Sequence, residues 1–99
     1  MITVMDKVNT KDAIRMLNTA MDIAYLSDVL DDTTENVVDI ASDMVDNGEY
    51  KKAFEQLAYA FTSLERAATK AGRLFLVDQY YGMAELCLGA ANTYYTFEA

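Results

Sequence analysis

The sequence predicts an all-α fold, a small antiparallel four-helix bundle, and three observations carry that expectation. There is no proline in the 99 residues, so nothing blocks long helices. Apolar residues recur at three- and four-residue spacing through most of the chain, the period of a helix with one buried stripe. Asn47-Gly48 and Gly72 fall where these periodic runs pause, and glycine is the usual left-handed stop after a helix. A chain of this length folds around one core, so residues 1–99 are expected to form a single helical domain.

Residues 1–8 read as a short, fraying leader, because Ile2, Val4 and Val8 set up no sustained helical period. The first helix is expected over about 10–30, entered at Asn9 or Thr10, whose side chains suit a cap. Ile14, Leu17, Met21 and Ala24 form its buried stripe, with Lys11, Arg15, Asn18 and Asp22 opposite. Toward its end Ile23, Leu26 and Leu30 continue an apolar surface.

Asp32 and Glu35 have the spacing of a capping box, which starts a second helix over about 33–47. Its predicted core stripe is Val37, Ile40, Ala41 and Met44. The third helix, about 49–71, has the clearest period: Tyr50, Phe54, Leu57, Phe61, Leu64, Ala68 and Ala71 follow a heptad spacing. Ala53, Ala60 and Ala67 border that seam and admit a close neighbour.

The fourth helix, about 73–97, is apolar on two adjacent heptad lines. One is Leu76, Tyr80, Met83, Cys87, Ala90, Tyr94 and Phe97; the other is Val77, Tyr81, Ala84, Leu88, Ala91 and Tyr95. Asp78, Glu85 and Asn92 mark a narrow polar edge. A helix apolar over so much of its circumference is expected at the centre of the bundle, with the second line given to a homodimer interface. Gly82 and Gly89 each cost about 1 kcal/mol relative to Ala in a helix, a cost that close helix approach would explain.

Eight bases against sixteen acids leave a net charge of −8, which argues against direct binding to nucleic-acid phosphates or anionic lipid. A protein partner with a basic surface is favoured instead. No base occurs between Arg15 and Lys51, whereas Asp22, Asp28, Asp31, Asp32, Glu35, Asp39, Asp43, Asp46 and Glu49 all do. At 100° per residue Asp32, Glu35, Asp39, Asp43 and Asp46 project within an arc of about 80° over roughly 21 Å of helix. The wider candidate surface for a partner is Asp28, Asp31, Asp32, Glu35, Asp39, Asp43, Asp46 and Glu49.

Without His and with one Cys, the chain has no His/Cys metal site and no Ser-His or Cys-His pair. Asp31 to Asn36 lacks the glycine and alternation of an EF-hand loop. No cofactor and no enzymatic activity are expected. Cys87 reads as a small core residue, and the paired tyrosines 80/81 and 94/95 lack the basic funnel of a base-stacking platform. Residues 74–97 are too polar for a membrane span and no secretory signal is read, so a cytoplasmic address is expected.

In size, acidity and want of catalytic apparatus the chain resembles the small inhibitors that phages and mobile elements direct against host defence, anti-CRISPR proteins among them. The resemblance implies an inhibitor that covers a basic, nucleic-acid-binding surface of a larger protein. Two other readings stay open: the acids as a solvated face only, and a helical adaptor acting through the apolar face of the fourth helix.

Overall fold

A computed structural model describes the backbone of residues 2–98 and the side chains of residues 11–92. Four helices follow in order: α1 (Ile2–Tyr25), α2 (Asp32–Asp46), α3 (Tyr50–Lys70) and α4 (Leu74–Glu98). Joined by short turns, they pack against one another as an antiparallel all-α bundle. Among the described residues there is no strand, and no helix is long and apolar enough to cross a membrane.

α1 begins at Ile2, not near residue 10. With neither Pro nor Gly before residue 48, nothing in the chain stops the helix from extending over the expected leader. It also stops earlier than expected, at Tyr25 instead of Leu30. There Ser27 accepts the Val29 amide at 3.3 Å and shares a 2.6 Å hydrogen bond with the Tyr80 hydroxyl, so the connection turns across α4.

The cap of α2 is Asp31, one residue before the expected Asp32. Its backbone is extended (φ −104°, ψ 171°), and its carboxylate accepts the Thr34 amide at 2.8 Å. The helix ends as the sequence indicates. Gly48 sits at φ +77°, and the Glu49 amide closes the turn on the Met44 carbonyl at 2.8 Å. α3 ends in the same way, with Gly72 at φ +72° and the Arg73 amide on the Ala68 carbonyl at 2.9 Å.

The central helix is α3, not α4. It packs against all three others and shares its longest seam with α4, whereas among the described residues α4 meets α3 and α1 without touching α2. The heptad row explains this. Phe54, Leu57, Phe61, Leu64 and Ala68 are fully buried, and the flanking Ala53 and Ala60 let neighbours approach from a second side. Leu17, Met21 and Ala24 join this core from α1 as expected, with Ala13 and Ala20 beside them. From α4 come Tyr80, Cys87, Ala90 and Ala91. The Phe61 and Tyr80 rings meet at 6.1 Å between centroids, tilted by 33°.

α2 is turned about its axis relative to the expected stripe. Its buried residues are Thr34, Val38 and Ala41, with Val37 and Met44 at the edge, while Ile40 is half exposed. The cause lies in Thr34. Its hydroxyl is satisfied by the Asp31 carboxylate, so a residue that looks like surface can face the core.

Candidate functional site

The rotation of α2 sets its acidic face squarely outward. With Thr34, Val38 and Ala41 inward, Asp32, Glu35, Asp39, Asp43 and Asp46 lie on the far side, and all five are exposed. No Lys or Arg forms an ion pair with any of them among the described residues. The like-charge neighbours 35/39, 39/43 and 43/46 each cost roughly 0.2–0.5 kcal/mol. Asp43 and Asp46 add an unfavourable interaction with the negative end of the helix dipole, about 0.3–1 kcal/mol each. Burying Phe54 or Phe61 alone contributes roughly 1.5–3 kcal/mol, so the core carries the stripe without difficulty.

The other three candidate acids are engaged within the fold. Asp28 accepts Arg73 at 2.7 Å, locking the α1–α2 turn to the start of α4. Glu49 pairs with Lys52 at 3.2 Å. Asp31 caps α2, and its hydrogen bonds from the Thr34 amide and hydroxyl hold its carboxyl below the usual range. The structure thus divides the eight candidates into five carboxylates on one face that no cation pairs with among the described residues, and three that serve the fold.

Sequence reasoning missed Tyr25. At the last position of α1, its hydroxyl donates to Oδ1 of Asp39. Burial, this bond and the charges of Asp39, Glu35 and Asp43 push the phenol up to about 12. Tyr25, bonded to Asp39, and the half-exposed Ile40, at the edge of the arc, give the stripe two partly apolar neighbours. Nothing in the local sequence of α1 signals this pairing, because it spans two helices.

Next to the stripe but off it, α2 and α3 enclose a polar hollow of about 340 Å³ lined by Asp31, Thr33, Thr34, Ser63, Arg66 and Lys70. Among the described residues no three carboxylates or thiols converge as a metal site. Cys87 is buried, which pushes its thiol up to about 11. It is a core residue, and burial is the cause of that shift. Tyr80 is likewise a core residue tied to Ser27.

The expected oligomer line on α4 does not form one surface. Ala91 is 1 % exposed and Val77 and Ala84 pack against the core, leaving only Tyr81 and Leu88 outward; the Tyr95 side chain lies outside the described residues. α3 and α1 cover the half of α4 centred on Tyr80 and Cys87, so each heptad line is judged by distance from that centre. The solvent half carries Phe75, Gly82, Leu86 and Gly89, with Asp78 and Glu85 alongside. Compared with known proteins, the chain matches no family model, no curated protein and no solved structure.

Proposed function

We propose that this protein inhibits or regulates a larger protein by laying the acidic face of α2 over a basic surface that otherwise binds nucleic acid. One observation carries the reading: five exposed carboxylates stand in a row on one helix with no cation of this chain to neutralise them among the described residues. Their spacing over roughly 21 Å of helix offers a partner's Lys and Arg a line of negative charge like that of a phosphate backbone. Tyr25 and Ile40 supply apolar contacts beside the charged row. A nucleic-acid mimic of this kind suits a phage or mobile-element inhibitor of host defence, such as an anti-CRISPR protein, and needs neither cofactor nor catalysis.

The second reading is a helical adaptor acting through the solvent half of α4, favoured by the exposure of Phe75 there. Salt separates the two. Binding through the stripe weakens steeply as ionic strength rises and is displaced by nucleic acid, whereas binding through α4 is nearly indifferent to salt. A pull-down from the native cell supplies the partner, and calorimetry across a salt series then decides.

A further inference from the structure

The hollow between α2 and α3 reverses the sign of the protein around it. In a chain of net charge −8 its wall holds two cations, Arg66 and Lys70, against one acid, Asp31, with Thr33, Thr34 and Ser63 adding hydroxyls. Neither cation forms an ion pair with Asp31 or with any other carboxylate among the described residues. Asp31 is engaged instead by the amide and hydroxyl of Thr34. The helix dipole accounts for Lys70, which stands in the last turn of α3. It does not account for Arg66 one turn earlier, where the spacing of four residues sets two like charges side by side. Lys51, Lys52 and Arg73 all pair with acids of this chain, whereas Arg66 and Lys70 border about 340 Å³ of open space.

We propose that this hollow binds a small phosphomonoester, with its phosphoryl group held by Arg66 and Lys70. Arg66 offers a planar fork of N–H donors and Lys70 a point charge, the two ways in which side chains hold phosphoryl oxygens. Ser63 and Thr33 add hydroxyl donors. Together the four side chains supply more donors than the two oxygens of a carboxylate can use, and enough for the three oxygens of a phosphoryl group. The volume lies near the lower end for small-molecule sites, which leaves room for an organic body beyond the phosphate. Asp31 retains lone pairs that suit a hydroxyl of that body. A sugar phosphate and a nucleoside monophosphate share this chemistry. The overall negative charge opposes a polyanion lying along the surface, but a single phosphoryl group between two cations meets a local field of the opposite sign.

The test is titration of the full chain with inorganic phosphate, ribose phosphate and adenosine monophosphate, read from NMR shifts of amides and basic side chains. Saturable shifts are expected at Thr33, Ser63, Arg66 and Lys70, with at least one ester binding several-fold tighter than inorganic phosphate. The tighter ester shows whether the body is a sugar or a nucleoside. Shifts spread equally over Lys11 and Arg15, exposed bases of α1 outside the hollow, overturn the site. Esters no tighter than inorganic phosphate overturn the ligand class. Arg66→Gln should weaken the ester by about tenfold or more, and Lys11→Gln should leave it unchanged. Arg66 is exposed, so helical circular dichroism should persist in the variant. Ester affinity unchanged by both Arg66→Gln and Lys70→Gln refutes the assignment. Absence of saturable binding at millimolar ester also overturns it and leaves the role proposed for the α2 stripe standing, since salt-dependent partner binding tests that separately.

Discussion

The Tyr25 hydroxyl reaches across from the end of α1 and donates a 2.5 Å hydrogen bond to Oδ1 of Asp39, in the middle of the acidic stripe. The neutral phenol is favoured there, and its folded value of about 12 stands above the ordinary 10.0. The native state therefore holds this proton more tightly than the unfolded chain. The associated stability is complete below pH 10.0 and is lost as pH rises through about 12. A difference titration of phenolate absorbance between the protein and Tyr25→Phe should isolate one late-ionising tyrosine. If the lost absorbance change instead centres on the ordinary value, Tyr25 does not feel the stripe.

Converting Asp39 and Asp43 to Asn should weaken binding to a basic partner by several-fold or more, because charge pairs across interfaces couple by about 1.5 kcal/mol or above. Folding should hold or improve. The substitutions remove mutually repelling neighbours, and the amide oxygen that Asp39→Asn leaves in place still offers Tyr25 an acceptor. Paired affinity and melting measurements check this, and unchanged affinity would make the stripe no more than a solvated face.

Phe61→Ala should cost about 3–5 kcal/mol, since it empties a fully buried position and strips Tyr80 of its ring partner. That is a large share of the roughly 5–15 kcal/mol of a typical domain. Denaturant midpoints give the direct comparison.

Tyr80→Phe should cost about 0.5–1.5 kcal/mol by deleting its bond to Ser27. Ser27→Ala should cost more, because it also leaves the Val29 amide without its acceptor. In a double-mutant cycle the two changes should be less than additive. Strict additivity would mean that the bond contributes nothing.

Asp31→Ala should cost about 0.5–2 kcal/mol at neutral pH through loss of the α2 cap. The carboxyl is held below 3.8 in the fold, so its contribution is present above that value and fades as pH falls through the folded one. The penalty of the substitution should accordingly shrink in acid, which melting curves across an acid series would show.

How far the sequence could be read depended on how one-sided each helix is. α3 was legible because its large apolar residues occupy a single row, and both glycine stops because left-handed termini leave few alternatives. The stripe was legible for the same geometric reason, although periodicity could not separate its five carboxylates from Asp28, Asp31 and Glu49, whose partners Arg73, Thr34 and Lys52 appear only in three dimensions. α4 was misread because a helix apolar nearly all round carries no orientation. Ala84 and Ala91 look like their neighbours in sequence, and only the placement of α3 and α1 decides which half is covered. Tyr25 and Asp39 are fourteen residues apart on different helices, beyond the reach of any local pattern.

The seam between α3 and α4, the longest in the molecule, closes over a connection of only three residues, 71–73. Little chain entropy is lost in bringing those two helices together, so this hairpin should be the folding nucleus, with α2 docking after the main barrier has been crossed. The repulsion among the carboxylates then falls on the far side of the transition state. Neutralising Asp43, which has like charges on both sides and lies near the negative end of the helix dipole, should slow unfolding while leaving the refolding rate nearly unchanged. The cost of maintaining the stripe is thus felt in how long the native state lasts, and the speed with which a newly made chain becomes active is spared.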